Sequence, residues 1–134
     1  MSYRKEVGKR GEDIASAYLE SQGLTVTARN LHVGHDEIDI IAEDDKYILF
    51  IEVKARAQTG INRKFGRPAS AVDESKRQKL LRAVKEYLRT SAAGKQPRID
   101  VIEVYIPSIR EDTPIEPERL IATDIKHIKN AVHN

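Results

Sequence analysis

The feature that most constrains this chain is a pair of apolar β-type runs with charge set inside them. Glu37 to Glu43 and Tyr47 to Lys54 are separated by Asp44-Asp45-Lys46, a polar break of hairpin length. Side chains two apart share a face of a strand, so Glu52 and Lys54 join the side of Ile48 and Phe50. On the preceding run Asp39 interrupts Ile38, Ile40 and Ile41. If Asp44 and Asp45 are the turn, Glu43 faces Lys46, Asp39 faces Phe50 and Glu37 faces Glu52. Asp39 and Glu52 are then diagonal neighbours on one face, about 7–8 Å apart. A one-residue slip would part them.

Two carboxylates and an ammonium on an apolar hairpin need a physical reason, because an unpaired buried carboxylate is costly. One reason is a hard divalent cation. Mg²⁺ favours carboxylate oxygens, keeps several waters and takes substrate phosphate as a further ligand. Asp39 and Glu52 would hold Mg²⁺ or Mn²⁺, and Lys54 would orient a water or stabilise developing negative charge. The other reason is an internal salt bridge from Lys54 to Glu52 or Asp39, with nothing bound.

Around the hairpin, Tyr3 to Ser21 reads as a helix with Val7, Gly11, Ile14, Ala15 and Tyr18 on one stripe. Leu24 to Ala28 reads as a strand, and Val33 to Asp36 as a bend. Ala55 to Ala71, with Gly60, Gly66 and Pro68, reads as a long loop. Asp73 to Thr90 is a second helix with Leu80, Leu81, Val84 and Leu88 on its apolar face. Ile99 to Ile106 is a strand, and Pro107 to Pro117 a loop. Leu120 to Ala122 suits a short edge strand, and Asp124 to Val132 a terminal helix. The expected class is α/β: a three-strand meander, a helical crossover and a further strand in a mixed central sheet with flanking helices.

With 134 residues, one domain spanning 1–134 is expected. The longest apolar run, Tyr47 to Ile51, is far short of the roughly 20 residues a membrane span needs. The basic start, Met1 to Arg10, has no apolar core of a signal peptide. With no cysteine, thiolate metal sites and cysteine nucleophiles are excluded and a cytoplasmic location is expected.

Net charge is +2, but its distribution is uneven. Residues 1–53 carry 6 cations and 11 anions, residues 54–98 carry 13 and 3, and residues 99–134 carry 4 and 7. A basic middle beside acidic flanks suits an anionic partner near a carboxylate cluster. Arg56, Arg63, Lys64, Arg67, Lys76 and Lys79, with Arg77 and Arg82, form the candidate phosphate-contact set. Phe65 is the only aromatic in the loop, so a duplex or branched substrate is favoured over single strands. His32 and His35 have a short metal-like spacing but lack the partners of a zinc set.

Asp39 followed after twelve residues by Glu52-x-Lys54 resembles the PD-(D/E)XK nuclease signature. The element order resembles the αβββαβ core of the restriction-endonuclease-like fold. Four stretches resemble the uncharacterised YraN-like family, itself related to archaeal Holliday junction resolvases. They are Gly8 to Glu12, Glu37 to Ile41, Phe50 to Arg56 and Arg98 to Val104. The resemblance implies that Asp39 and Glu52 are metal-binding carboxylates, Lys54 the catalytic lysine and Glu12 an acid close to the metal. Gln78 matches a supporting polar position. Ile38 departs from the signature, which has proline there.

The expected function is metal-dependent hydrolysis of nucleic-acid phosphodiesters, with DNA as partner. The alternative is a non-catalytic nucleic-acid-binding or partner-docking module on the same scaffold. A two-fold resolvase would act as a homodimer, and no dimer face is legible in the sequence.

Overall fold

The computed structural model describes residues 3–58, 73–91, 94–107 and 124–132. The elements run α1 (Tyr3–Ser21), β1 (Thr25–Val33), β2 (Asp36–Glu43), β3 (Tyr47–Gln58), α2 (Glu74–Thr90), β4 (Gln96–Pro107) and β5 (Asp124–Val132). The strands form one mixed five-stranded sheet in the order β1-β2-β3-β4-β5. β1, β2 and β3 are an antiparallel meander, β4 runs parallel to β3, and β5 returns antiparallel on β4. The parallel step requires a crossover, and α2 lies in it.

The helices cover opposite faces of the sheet. Val7, Ala15 and Leu19 of α1 pack with Ile40, Ala42, Leu49, Ile51, Ile102, Val104 and Ile106. Leu80, Leu81, Ala83 and Val84 of α2 pack with Ile38, Ile41, Ile48, Phe50, Ile99 and Val132. β3 therefore feeds both cores by alternation, which explains its unbroken apolar run. α1 approaches β3 very closely at Gly11, where a methyl group would stand 2.6 Å from the Ala55 Cβ. α2 starts at Asp73, whose side chain accepts from Lys76 N at 2.8 Å as an N-cap. Arg82 ties α2 to the β1–β2 turn through two bonds to Asp36, at 2.7 and 2.8 Å.

The strands differ from the sequence expectation in three places. β1 continues past Ala28 to Val33, because Gly34 (φ +63°) and His35 make a two-residue turn that pairs Val33 with Asp36. β3 continues past Lys54 to Gln58, so residues 55–58 are not loop. Parallel pairing to β4, from Ala55 with Val104 to Gln58 with Pro107, supplies their backbone partners.

Asp124 to Val132 is a strand, not a helix. Its helix-like spacing comes from apolar residues on both faces: Ile125 packs on the α1-side core and Val132 in the α2-side core. An irregularity lies within it, where the β4–β5 register shifts between Ile99 and Val101 and Asn130 adopts φ +53°. The irregularity is pinned by Asp100, fully buried, which accepts from Asn130 N at 2.8 Å, from Arg98 twice at 2.9 Å and from His127 Nε2 at 2.7 Å. Burial alone would raise the Asp100 pKa, but these hydrogen bonds hold it below the ordinary value. The Leu120–Ala122 strand expectation lies outside the described residues.

Candidate functional site

Asp39 and Glu52 are brought together by the β2–β3 hairpin. The observed pairs are Ile40 with Ile51, Ile41 with Phe50, Ala42 with Leu49 and Glu43 with Ile48. Carried one residue further, this register sets Asp39 opposite Glu52. The expected turn at Asp44-Asp45 moves one residue on, to Asp45-Lys46, with Asp44 opposite Tyr47. Asp44 N donates to the Tyr47 carbonyl at 3.1 Å, and the Asp44 carboxylate accepts from Lys46 N and Tyr47 N at 2.8 and 2.7 Å. The register thus moves by two residues. The facing parity is kept, and the two acids are opposed rather than diagonal.

The strand is irregular at Asp39. Ile38 packs with the α2-side core and Ile40 with the α1-side core, so simple alternation fails between them. On β1 the residue between the pairs Arg29–Ile40 and Leu31–Ile38 is Asn30, at φ +51°. This kink places the Asp39 carboxylate against the neighbouring strand, where Oδ2 accepts from Val53 N at 2.9 Å. Burial raises the Asp39 pKa, opposed by that hydrogen bond and by the Lys76 charge.

Glu52 is more deeply set, with its side chain 10% exposed. Oε1 lies 3.3 Å from Lys76 Nζ, whereas Oε2 is buried without a hydrogen-bond partner. Burial first, and the Asp39 charge second, push its pKa up to about 7. Lys54 follows two residues on, half-buried, in register with Glu103.

Glu12 reaches the site from α1. It is half-buried, lies 3.9 Å from Arg29, and hydrogen-bonds Asn30. Burial raises its pKa, and Asp39 is the next largest cause, so the two acids sense each other. Among the described residues, no three His, Cys, Asp or Glu side chains come close enough together to hold a metal ion by themselves. The arrangement is a close carboxylate pair with a third acid within electrostatic range. That suits a cation which keeps waters or a substrate oxygen as its other ligands. The unpartnered Glu52 Oε2 is the position that such a cation, or a water, would satisfy.

The candidate phosphate contacts divide. Arg56 is engaged inside the fold, its Nε 2.7 Å from Glu103, a carboxylate that is 1% exposed. Tyr105 donates to the same group at 2.8 Å. Lys76 points to Glu52, while Lys79 is exposed on α2. Gln78 is exposed and donates to Glu74 at 2.7 Å, so it does not support the acid pair. Arg63, Lys64 and Arg67 lie outside the described residues. A cleft of about 630 Å³ lies between α2 and the β1–β2 turn, lined by His35, Asp36, Gln78, Arg82 and Lys85 among others.

Sequence reasoning missed Asn30, the Lys76–Glu52 contact and the Asp100–His127 pair. Asn30 was reachable: recognising Gly34-His35 as a hairpin turn puts it opposite Asp39. Lys76 carried no signal beyond being one of several basic residues on a helix.

The site is thus an acid pair with flanking amines, at the kinked hairpin of a mixed α/β sheet. Residues 11–104 match the family described as "Uncharacterised protein family UPF0102". A UPF0102 protein of Caldanaerobacter subterraneus is 39% identical over 129 residues, covering 96% of this chain and 95% of its own. One from Chlorobium chlorochromatii is 36% identical over 126 residues, covering 94% and 90%. One from Neisseria meningitidis is 42% identical over 103 residues, covering 76% and 86%. The chain belongs to the UPF0102 family. Among the described residues no helix is long and apolar enough to cross a membrane.

Proposed function

We propose that the protein is a divalent-metal-dependent nuclease of the restriction-endonuclease-like PD-(D/E)XK class, related to Holliday junction resolvases and acting on duplex or branched DNA. The observation that carries this reading is the opposed pair Asp39 and Glu52, desolvated, with one Glu52 oxygen buried and unpartnered. Asp39 and Glu52 would hold Mg²⁺ or Mn²⁺, which when bound neutralises charge on a phosphate and acidifies a coordinated water. Asp39 is oriented for this by Val53 N, which fixes one of its oxygens. Lys54, beside Glu52 on the same strand face, places an ammonium where negative charge develops on the phosphate during attack. In the hydrolysis a water oxygen bonds to phosphorus, the P–O bond to the leaving sugar oxygen breaks, and that oxygen is protonated. Glu12, at the rim, adds negative charge that strengthens cation binding.

The experiment is incubation of the purified protein with linear duplex and four-way-junction DNA, in Mg²⁺, Mn²⁺ or EDTA. Cleavage that requires the ion and disappears in Asp39→Asn and Glu52→Gln supports the reading. Cleavage that survives both substitutions refutes it. The second reading, a non-catalytic nucleic-acid-binding module, is favoured by the internal engagement of Lys76 with the acid pair. It predicts salt-sensitive DNA binding with no turnover in any ion.

A further inference from the structure

Lys76, like Arg82, carries its charge from α2 to an acid of the sheet, but the acid it meets belongs to the carboxylate pair. Lys79 and Lys85 are exposed, and Arg77 pairs with Glu74 of its own helix. Lys76 instead crosses to the sheet, its Nζ 3.3 Å from Glu52 Oε1. It also acts electrostatically on Asp39. Its backbone is fixed by the helix cap, since Lys76 N donates to Asp73 Oδ1 at 2.8 Å. The side chain keeps 40% exposure, so it has room to swing outward, whereas Glu52 does not. A positive charge therefore sits beside the carboxylate pair, held by an anchored backbone and a mobile four-carbon stem.

We propose that Lys76 is the internal counter-ion of the acid pair: a divalent cation displaces its ammonium from Glu52, and the released ammonium takes a phosphate of the bound DNA. This rests on the metal-binding reading above and adds to it a coupling between ion binding and DNA binding. One cation replaces another at Glu52. The coupling is reciprocal: the ion frees a DNA contact, and DNA, by holding Lys76 away, favours the ion.

The test uses calorimetric Mn²⁺ titration of the full chain without DNA, for wild type, Lys76→Met, Lys76→Arg and Lys85→Met. The last removes an exposed α2 cation one helix face further along. Removing a competing, partly exposed ion-pair partner is expected to tighten Mn²⁺ binding about three- to ten-fold in Lys76→Met. Lys76→Arg and Lys85→Met are expected to stay within about two-fold of wild type. Lys76→Arg also keeps a cation at the cap, which separates lost competition from a disturbed helix. In a second arm a duplex oligonucleotide is titrated in Ca²⁺ and in EDTA. Wild type is expected to gain more affinity from Ca²⁺ than Lys76→Met does, by about three-fold or more.

Unchanged or weaker Mn²⁺ binding in Lys76→Met overturns the proposal while leaving the acid-pair reading intact. An equal Ca²⁺ gain in both proteins likewise overturns it. Binding seen in Lys76→Met but not in wild type supports it in its strongest form. Absence of ion binding in every variant overturns it together with the metal reading.

Discussion

Gly11 is where the fold sets the position of the third acid, and replacing it tests that account quantitatively. In Gly11→Ala the new methyl group would lie 2.6 Å from the Ala55 Cβ, with the Ala55 Cα at 3.5 Å and a Val53 methyl at 3.9 Å. Comfortable carbon contacts are about 3.5–4.0 Å, so α1 must retreat from β3 by about 1 Å. Such overpacking costs about 1–3 kcal/mol. Against it stands the helix preference for alanine over glycine, about 1 kcal/mol. Gly8, three residues earlier on the same helix, has nothing within 4 Å of that position. Gly8→Ala therefore measures the preference alone, and the gap between the two variants measures the clash. By urea denaturation, Gly8→Ala is expected to be stabilised by about 0.5–1 kcal/mol and Gly11→Ala destabilised by about 1–2 kcal/mol. Adding Ala55→Gly removes the 2.6 Å contact, and the double variant should recover about 1–2 kcal/mol of coupling energy. Because Glu12 follows Gly11, the retreat also moves that carboxylate from Asp39. If Gly11→Ala is stabilised as much as Gly8→Ala, the close contact is not a feature of the folded protein.

The pH dependence of stability in EDTA follows from Glu52. Its folded value of about 7 lies above the ordinary 4.5, so between these pH values the folded protein holds a proton that the unfolded chain has released. Stability therefore falls as pH rises through this window, by of order 2–3 kcal/mol between pH 5 and pH 8, and Glu52→Gln flattens the dependence. A thermal melt of both proteins in that range checks it, and stability that rises with pH would count against it. Arg56→Met removes the 2.7 Å ion pair from the nearly buried Glu103 while Tyr105 remains, so a loss of about 1–3 kcal/mol in chemical denaturation is expected. Unchanged stability would instead free Arg56 for a role outside the fold. Asp100→Asn weakens the charge-assisted bonds to Arg98 and His127, and hydrogen exchange of β5 amides should accelerate more than that of β2. Equal acceleration in both strands would show that Asp100 does not hold β5 locally.

The sequence was most legible where periodicity and burial agree. The two helices and the β2–β3 hairpin follow directly from their apolar spacing. The Asp39–Glu52 face depended only on an even turn, so it survived a wrong register. Legibility ended where long-range partners decide the outcome. Residues 55–58 look like loop until β4 supplies a neighbour to pair with. Residues 124–132 look helical because a strand covered on both faces carries apolar residues on each, Ile125 toward the α1-side core and Val132 toward the α2-side core. The role of Arg56 was hidden because it depends on a buried acid, Glu103, forty-seven residues away. Lys76 was recognised as a basic residue, but its inward contact depends on how α2 docks against β3.

The most direct measurement of the central claim is Mn²⁺ binding with its accompanying proton release, by calorimetry near pH 6.5 in buffers of different ionisation enthalpy. At that pH Glu52 still holds its proton in a large share of molecules, and a cation on Glu52 must expel it. The account predicts one ion per chain, a fraction of a proton released with it, and loss of both in Asp39→Asn and Glu52→Gln. Ion binding of equal strength and stoichiometry in those two variants would contradict it.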